Sequence, residues 1–377
     1  MAIKFFSGVA LQKNLASVIF LQSHFYILGC SYYFQQTLNI RESMKNRIIT
    51  TCIVVGAGIC GLIAADALQR SGVKIIVLDK GRGVGGRLAT RRIQNGTFDH
   101  GAQYFTVRDN RFFSIVQEWL AAGIVQEWSR NFLTSAGLCS DESEPRYYGV
   151  GGMTSIAKYL ARNIDVQLNE RVVRISAHEN LWYVETESGK IYQAESLILT
   201  PPVPQSLELV KRSGIPIPIK EKRLLEAVTY LPCLGVLALL DRASKIPSPG
   251  GLWLYDGPVL WIADNQQKGV SKAPAVTIHA NPAFSRTYWD ADDQAIIHEL
   301  LTYASPWLGA SVITAEIKRW RYSAPDSFVP EPCLFLAKPL PLLFAGDAFV
   351  SPCVEGAVLS GLAAAEYLLA EIRAAQV

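Results

Sequence analysis

The regular pattern of the chain begins with a short apolar run that leads into a glycine-rich turn. Residues 51–55 are mostly apolar, and a second apolar run at residues 75–78 ends at Asp79. Between the two runs lie a long apolar segment and three spaced glycines, namely Gly56, Gly58 and Gly61. This order predicts a strand, a tight turn, a helix and a second strand ending in an acid, which is typical of a dinucleotide-binding unit.

Each part of this predicted unit has a physical role. Gly56 permits the tight turn, Gly58 lets the backbone approach a pyrophosphate, and Gly61 lets the helix pack against the strand. The helix N-terminus presents N–H groups and a partial positive charge to phosphates. Asp79 is placed to accept hydrogen bonds from a ribose hydroxyl. The alternative, a glycine-rich turn in an ordinary α/β sheet, explains neither the spacing nor Asp79.

A second glycine-rich segment, residues 80–92, follows Asp79 directly. It holds four glycines within residues 81–86, and it also carries Arg82, Arg87, Arg91 and Arg92. So many glycines are incompatible with a regular element, and the arginines can neutralise phosphate. We interpret the segment as a loop that contacts a ligand, with a flexible surface loop as the alternative.

The remaining pattern indicates two kinds of structure. Residues 166–199 read as several short strands, and residues 342–348 read as a buried strand that precedes a helix rich in small residues. Over residues 207–330, aromatic residues, prolines and longer strand candidates become more frequent, with one helix at residues 292–304. We predict an α/β fold, in which a Rossmann-like cofactor-binding domain is joined to a second, mostly antiparallel-sheet substrate domain.

The predicted domains are discontinuous along the chain. Residues 1–43 contain no acidic residue before Glu42, and their apolar stretch is interrupted by polar residues. We interpret them as a poorly ordered extension, with an organelle-targeting segment and a peripheral membrane contact as alternatives. The cofactor-binding domain is assigned to residues 44–108, 145–206 and 331–377, and the substrate domain to residues 109–144 and 207–330.

Composition narrows the functional classes. Half of the 377 residues are apolar, and the net charge of +3 comes without a long basic run, which argues against a nucleic-acid surface. The seven cysteines show no zinc-ligand spacing, so no metal site is predicted. Cys52 and Cys60 are expected to be buried free thiols, which indicates a reducing compartment. We predict a cytoplasmic protein without a firm membrane anchor, or an organelle stroma if the extension is a targeting segment.

Several of these motifs resemble those of a known group of flavoproteins. The glycine fingerprint, the Gly85-Gly86-Arg87 loop and the Gly346-Asp347 turn are similar to those of the flavin-containing amine oxidase superfamily, which binds FAD. Within it, six segments resemble the renalase branch, namely residues 79–80, 83–87, 98–104, 261–265, 319–322 and 354–357. The resemblance covers residues 45–373 and leaves the first 43 without a counterpart.

The resemblance implies a two-domain FAD-dependent oxidoreductase. Renalase-like proteins oxidise isomers of reduced nicotinamide nucleotides, return NAD(P)+ and pass the electrons to dioxygen, giving hydrogen peroxide. By this resemblance Asp79 would bind the adenosine ribose, and Asp347 the ribityl or pyrophosphate side. The sequence shows no compelling attachment residue, so non-covalent binding of FAD is expected. The implied cofactor-binding residues are Gly56, Gly58, Gly61, Asp79, Lys80, Arg82, Gly86, Arg87, Val172, Val173, Asp347, Glu355, Gly356 and Ala357.

Candidates for the substrate face come from the second domain. His279 follows a strand, Arg286 lies beyond it, and Trp320 and Tyr322 close a later strand. Aromatic walls and an arginine suit a flat cation-like or dinucleotide substrate, so these four residues are the predicted catalytic group. In the alternative interpretation, Trp320 and Tyr322 are ordinary core aromatics and Arg286 makes a surface ion pair.

Three further polar residues lie in suggestive positions. His100 is interpreted as a hydrogen-bonded turn residue rather than a base, since it sits in a polar turn flanked by aromatic residues. Asn265 and Lys268 are additional candidates for the lining of the pocket.

Four functions fit these features. The leading hypothesis is an FAD-dependent oxidase of dihydronicotinamide substrates with dioxygen as acceptor, which requires orientation of the substrate more than acid–base help. The second is oxidation of a small amine by the same flavin. The others are a flavoprotein that uses FAD structurally or for partner binding, and a flavin-assisted isomerase.

Overall fold

The computed structural model describes residues 48–138 and 144–374. The extension predicted for residues 1–43 lies outside the described residues. The strands of the described part are β1 (Ile48–Val55), β2 (Ile75–Leu78), β3 (Thr90–Ile93), β4 (Gly96–Asp99), β5 (Val125–Ser129), β6 (Leu133–Thr134), β7 (Gly137–Leu138), β8 (Arg146–Gly149), β9 (Val166–Gln167), β10 (Val172–His178), β11 (Leu181–Thr186), β12 (Ile191–Leu199), β13 (Tyr230–Leu240), β14 (Gly251–Trp253), β15 (Val259–Asp264), β16 (Ala275–Ala280), β17 (Val312–Pro325), β18 (Leu334–Leu336) and β19 (Leu342–Phe344). The helices are α1 (Ile59–Arg70), α2 (Asn110–Ala121), α3 (Thr154–Leu160), α4 (Val203–Arg212), α5 (Ile219–Glu226), α6 (Pro282–Thr287), α7 (Asp293–Leu308) and α8 (Val354–Ala374).

The first sheet has a parallel centre covered on both faces. Its order is β10-β11-β12-β1-β2-β9, with β19 parallel to β12 and β18 beside β19. Along β1, Cys52 and Val54 pack with apolar residues of α1 and α8, whereas Ile53 and Val55 pack with those of α4 and α5. Burial on both faces explains why the strands are continuous apolar runs. The antiparallel meander β10–β12 extends the sheet, and the predicted Rossmann-like fold is confirmed.

The second sheet is mostly antiparallel, as predicted. Its order is β17-β13-β16-β15-β14-β6-β7, and the pairing of β14 with β6 is parallel. Leu234 and Val236 of β13 face a core shared with α7. Leu237 and Leu239 alternate to the other face, where they pack with Phe98 of β4. The period of two therefore gives this sheet two covered faces.

The β3–β4 hairpin lies across the second of these faces and is hydrogen-bonded to the second sheet. Thr277 Oγ1 of β16 donates to the Asp99 carbonyl at 2.8 Å. His279 Nε2, two residues further along β16, lies 3.2 Å from the His100 carbonyl. His100, the first residue after the hairpin, is thus also hydrogen-bonded to the second sheet.

Two helices occur where the sequence predicted only strand-rich structure. In α4 and α5, Leu207, Val210 and Leu225 are buried against the first sheet. The apolar positions Val203, Leu207 and Val210 have helical spacing, but the prolines of this segment obscured it. Helix α4 runs across the predicted domain boundary after residue 206. The domain limits as a whole stay a prediction.

The segment assigned to residues 109–144 divides between the two packing units. Phe112 and Trp119 of α2 lie in the core shared with α1 and α8. The short strands β6 and β7, in contrast, belong to the second sheet.

Two further features bear on the sequence predictions, namely the state of the cysteines and the length and polarity of the helices. Cys52 and Cys60 are buried free thiols, as expected, and burial raises the pKa of the Cys52 thiol to about 12. Across residues 48–138 and 144–374, the helices include none long and apolar enough to span a membrane.

Candidate cofactor and substrate site

The glycine turn after β1 leaves open space at one glycine and none at another. A Cβ atom added to Gly61 would lie 2.0 Å from the Gly56 carbonyl oxygen, so only glycine permits this close packing of α1 on the strand. A Cβ atom on Gly58 would meet no atom within 4 Å. Gly58 is also the N-cap of α1, and no described side chain caps that helix. The space in front of Gly58 therefore faces free helix N–H groups, which suits a phosphate.

The Asp79 carboxylate ties the glycine turn to the following loop. Its Oδ2 accepts a hydrogen bond from Ala57 N, and its Oδ1 accepts one from Gly81 N, each at 2.6 Å. A carboxylate has further lone pairs for a ribose hydroxyl. The structure thus shows a positional role for Asp79, while its predicted contact with a ribose stays a prediction.

The glycine-rich loop approaches the same helix N-terminus. Gly85 N donates to Ala57 O at 2.8 Å, and Gly85 forms an isolated parallel bridge with Gly58. Gly86 has a φ of 54°, in the left-handed region, and a Cβ there would lie 3.4 Å from the Gly58 Cα. The loop is therefore held beside the open space at Gly58, with Arg82 and Lys80 at its exposed side.

The next residue of the loop, Arg87, forms a two-fold ion pair with Asp347. Arg87 Nη2 donates to Asp347 Oδ1 at 2.7 Å, and Nη1 forms a second, shorter bond with Oδ2. The Tyr230 hydroxyl also donates to Asp347 Oδ1, at 3.3 Å. Burial alone would lower the pKa of Arg87, but the charge and hydrogen bonds of Asp347 outweigh it and raise that pKa. Arg87 therefore stays charged.

The predicted adenine-side residues lie at the other end of the site. Val172 pairs with Thr186, and the register shifts before Arg174, so Val173 lies in an irregular part of β10. The preceding turn contacts Asp79, whose carbonyl accepts a hydrogen bond from Glu170 N at 2.9 Å. This places the start of β10 next to the ribose candidate.

The turn before α8 is tightly packed. A Cβ on Gly356 would lie 2.0 Å from the Ser351 carbonyl oxygen, and Ala357 N donates to Cys353 O at 3.1 Å. The buried Glu355 accepts from Arg108 N at 2.6 Å and from Asp109 N at 2.8 Å. These contacts join the three residues to other parts of the protein. The predicted proximity of Glu355, Gly356 and Ala357 to the flavin stays a prediction.

Two of the predicted substrate residues converge on one backbone carbonyl. His100 O accepts a hydrogen bond from Trp320 Nε1 at 2.7 Å, and His279 Nε2 lies 3.2 Å from the same oxygen. The His100 ring is stacked on the Trp320 ring, with centroids 5.3 Å apart and an interplanar angle of 21°. His100 is thus a turn residue, as interpreted, and its buried ring supports the Trp320 ring by stacking on it.

Both histidines are neutral at physiological pH. Burial, together with the charges of Lys318 and Arg91, lowers the pKa of His100 to about 3. Burial likewise lowers the pKa of His279 to about 4, although the hydrogen bond to His100 opposes the shift. Since a carbonyl only accepts, the proton of neutral His279 lies on Nε2. The His100 Nδ1 atom is buried without a hydrogen-bond partner in the described part of the chain.

The other two predicted substrate residues differ in their surroundings. The Tyr322 ring meets the Tyr230 ring edge to face at 5.5 Å, and its carbonyl accepts from Arg87 Nη1 at 3.3 Å. Tyr322 therefore adjoins the Arg87 pair. Arg286 lies 3.9 Å from Asp326, with both side chains more than half exposed. For Arg286 the structure shows the surface ion pair that was its alternative interpretation.

A buried ion pair that the sequence did not predict lies behind the substrate face. Lys268 Nζ donates to Asp99 Oδ2 at 2.8 Å and to the Gln103 carbonyl at 2.5 Å, and it lies 4.8 Å from the Trp128 ring centroid. Both charged side chains are fully buried. Burial lowers the pKa of Lys268, and Asp99 partly opposes this shift. Lys268 is an internal support rather than a pocket-lining residue.

Comparison with known proteins identifies the family. The model of the family described as "Flavin containing amine oxidoreductase" matches residues 127–369. This chain belongs to the flavin-containing amine oxidoreductase family. The preceding residues 54–119 match the model described as "NAD(P)-binding Rossmann-like domain". The predicted superfamily is thereby confirmed, and the protein is an FAD-dependent oxidoreductase.

Individual relatives of this flavin-containing amine oxidoreductase agree with the assignment. Renalase of Mus musculus is 28% identical over 84% of this chain and 98% of its own length. Among solved structures, cyclohexylamine oxidase of Brevibacterium oxydans aligns with a TM-score of 0.66 and 13% identity, over 86% of this chain and 99% of that one. Putrescine oxidase aligns with a TM-score of 0.65 and 16% identity, over 86% and 100%. These two structures support the fold.

FAD, the cofactor of this oxidoreductase, fits the residues at the site. The open space at Gly58 and the uncapped N-terminus of α1 suit its pyrophosphate. Asp79 at one end and the Arg87–Asp347 pair at the other are separated along the glycine-rich loop, as an extended cofactor requires. Sequence reasoning missed the part played by Tyr230, which no motif marks.

Proposed function

We propose that this flavoprotein oxidises dihydronicotinamide nucleotides, with FAD supplying the hydride acceptor and dioxygen taking the electrons. The observation that supports the proposal is the Trp320 ring, which stacks on neutral His100, while neutral His279 shares the His100 carbonyl with it. The same turn is hydrogen-bonded to the backbone of Arg87 through Ala102 N. The extended likeness to renalase supports the same substrate class.

In this proposal the substrate face acts by orientation. The planar ring of a dihydronicotinamide lies against Trp320, whose position is fixed by its stacking on His100 and by the bond from its Nε1 to the His100 carbonyl. Oxidation of a dihydropyridine to an aromatic ring requires no proton removal by the protein, so neutral histidines suffice. Holding the ring in one geometry lowers the barrier by removing the entropy of alignment.

The charged residues keep the cofactor end rigid. The two parallel hydrogen bonds between Arg87 and Asp347 define both the distance and the plane of the guanidinium group. The first turn of α8, which contains Gly356, presents the positive end of a helix dipole near this pair. That partial charge would stabilise the negative charge that a reduced flavin carries.

Oxidation of a small amine is a second candidate, because the fold is shared with putrescine oxidase and cyclohexylamine oxidase. An uncharged aromatic surface would also accept a neutral amine. Use of FAD as a structural group or for binding a partner is the candidate outside catalysis.

Anaerobic stopped-flow reduction of the purified yellow protein distinguishes these candidates. We expect dihydronicotinamide isomers to bleach the flavin absorbance within seconds, while putrescine, cyclohexylamine and benzylamine leave it unchanged. Fast bleaching by an amine would replace the proposal with the second candidate. A flavin that no small donor reduces would favour the structural role.

A further inference from the structure

One row of residues crosses three strands of the second sheet at the substrate face. Lys318 of β17 is in register with Gly235 of β13, and Gly235 is in register with His279 of β16. Residues directly opposite one another in a sheet project to the same face. Lys318 therefore shares its face with His279, and also with Trp320, which lies two residues further along the same strand.

The middle of this row has no side chain. A Cβ on Gly235 would lie 3.4 Å from His279 Cδ2, which is ordinary van der Waals contact. Neither a left-handed backbone nor close packing therefore requires glycine at this position. Its effect is to leave a notch between the Lys318 and His279 side chains.

Lys318 differs from the other cations around the site. Four cations around the site have a carboxylate partner: Arg87 with Asp347, Arg91 with Glu316, Lys268 with Asp99, and Arg319 with Asp293. For Lys318, no carboxylate of the described residues lies within ion-pair distance, and its Nζ rests 5.8 Å from the Trp320 ring centroid. A half-buried ammonium in this position attracts an anion.

The groups that face Lys318 do not neutralise it. His100 and His279 are neutral, and the carboxylates of Glu316 and Asp99 are engaged by Arg91 and Lys268. The positive charge of Lys318 is felt at His100, where it helps to lower the pKa of the imidazole. The face is consequently cationic next to its flat aromatic surface, an arrangement that favours a ligand with a planar ring and an anionic group.

We propose that Lys318, beside the Gly235 notch, is a specificity-determining residue that binds a phosphate of the substrate. This inference rests on the proposed oxidation of dihydronicotinamide nucleotides and adds which side chain of this protein recognises their phosphate. The aromatic surface holds the ring, and the ammonium group of Lys318 holds the 5′-phosphate.

The test compares a dihydronicotinamide mononucleotide isomer with the corresponding riboside in anaerobic reduction. In the native protein we expect the mononucleotide to have the lower dissociation constant, with an advantage that declines as salt rises. Lys318→Met should weaken mononucleotide binding about tenfold or more and leave the riboside unchanged. Lys318→Arg should restore most of the preference, because it restores the charge.

Arg321→Met is the matched control, since Arg321 is a cation of the same strand that packs over Trp289 on the opposite face. It should leave both donors unaffected. Equal affinity for the two donors in the native protein, or an equal loss for both in Lys318→Met, would overturn the inference while leaving the proposed oxidation intact.

A second measurement separates the inference from the proposed function. If no dihydronicotinamide reduces the flavin, the proposed oxidation fails. The phosphate site is then judged by titrating the oxidised holoprotein with nicotinamide mononucleotide and nicotinamide riboside, followed by the flavin difference spectrum. Tighter binding of the mononucleotide that disappears in Lys318→Met supports the site, and any other result refutes it.

Discussion

Arg87 and Asp347, 260 residues apart in the chain, join the glycine-rich loop to the turn after β19 through a two-fold ion pair. The same aspartate accepts the hydroxyl of Tyr230, at the start of the first long strand of the substrate sheet. One carboxylate therefore connects three segments, which meet at the predicted flavin end of the site.

The first prediction concerns this pair. Arg87→Met leaves the largely buried Asp347 carboxylate without its counter-charge and should lower the free energy of unfolding by about 3 kcal/mol. It should also reduce the bound FAD, measured by flavin absorbance per protein after desalting. Arg87→Lys retains the charge but not the two parallel bonds. Its free energy of unfolding and its FAD content should therefore lie between those of the native protein and those of Arg87→Met. Native FAD content in Arg87→Met would contradict this role.

The second prediction contrasts two glycines of the fingerprint. Gly58→Ala adds a methyl group into open space, so the apoprotein should unfold within about 1 kcal/mol of the native value. The methyl group should nevertheless exclude the pyrophosphate and weaken FAD binding. Gly61→Ala places the methyl group against the Gly56 carbonyl and should destabilise the apoprotein itself. Thermal unfolding with and without FAD measures both effects. Equal apoprotein losses would refute the contrast.

The third prediction concerns Lys268 and Asp99. Lys268→Met leaves a fully buried carboxylate uncompensated and should lower the free energy of unfolding by about 3–5 kcal/mol. The double variant Lys268→Met/Asp99→Asn should recover part of that loss, since the amide oxygen still accepts from Thr90 Oγ1 and Met153 N. A double-mutant cycle in urea measures the coupling. Additive losses would show that the two charges are not coupled.

The fourth prediction is a pH dependence. The folded-state pKa values of His100 and His279, about 3 and about 4, lie below the unfolded value of 6.5. Between these values the unfolded chain binds the protons, so stability is fully present above pH 6.5 and falls as the pH decreases. Each histidine contributes a slope of at most about 1.4 kcal/mol per pH unit. His100→Gln should therefore show a shallower decline between pH 6 and pH 4 in urea titrations. An unchanged slope would mean that His100 is protonated in the folded protein.

Local chemistry explains how much could be predicted from the sequence. The β1 turn was identifiable because Gly56, Gly58, Gly61 and Asp79 lie within one continuous unit whose spacing is set by backbone geometry. The antiparallel character of the second sheet was likewise visible in the long apolar and aromatic runs. Both features depend on neighbours in sequence.

The remaining features depend on distant pairs. No local pattern places Lys268 against Asp99, or directs Trp320 and His279 to one carbonyl, because these contacts form only when the β3–β4 hairpin crosses the second sheet. Arg286 fitted the expected chemistry but lies in an exposed pair with Asp326. Residue type alone did not distinguish a position on the substrate face from an exposed position at the surface.

The contact between Gly101 and Arg87 has a consequence for how this protein could change its substrate. A Cβ at Gly101 would lie 1.9 Å from the Arg87 carbonyl oxygen, which also accepts from Ala102 N at 2.9 Å. The backbone that carries His100 is therefore locked to the backbone that carries Arg87. New preferences can arise through exchange of side chains on the strands, as at Lys318 or Gly235, whereas insertions in the loop would displace the cofactor along with the substrate. Relatives of this fold that differ in substrate should therefore differ at residues of the strands and keep the same length over residues 85–102.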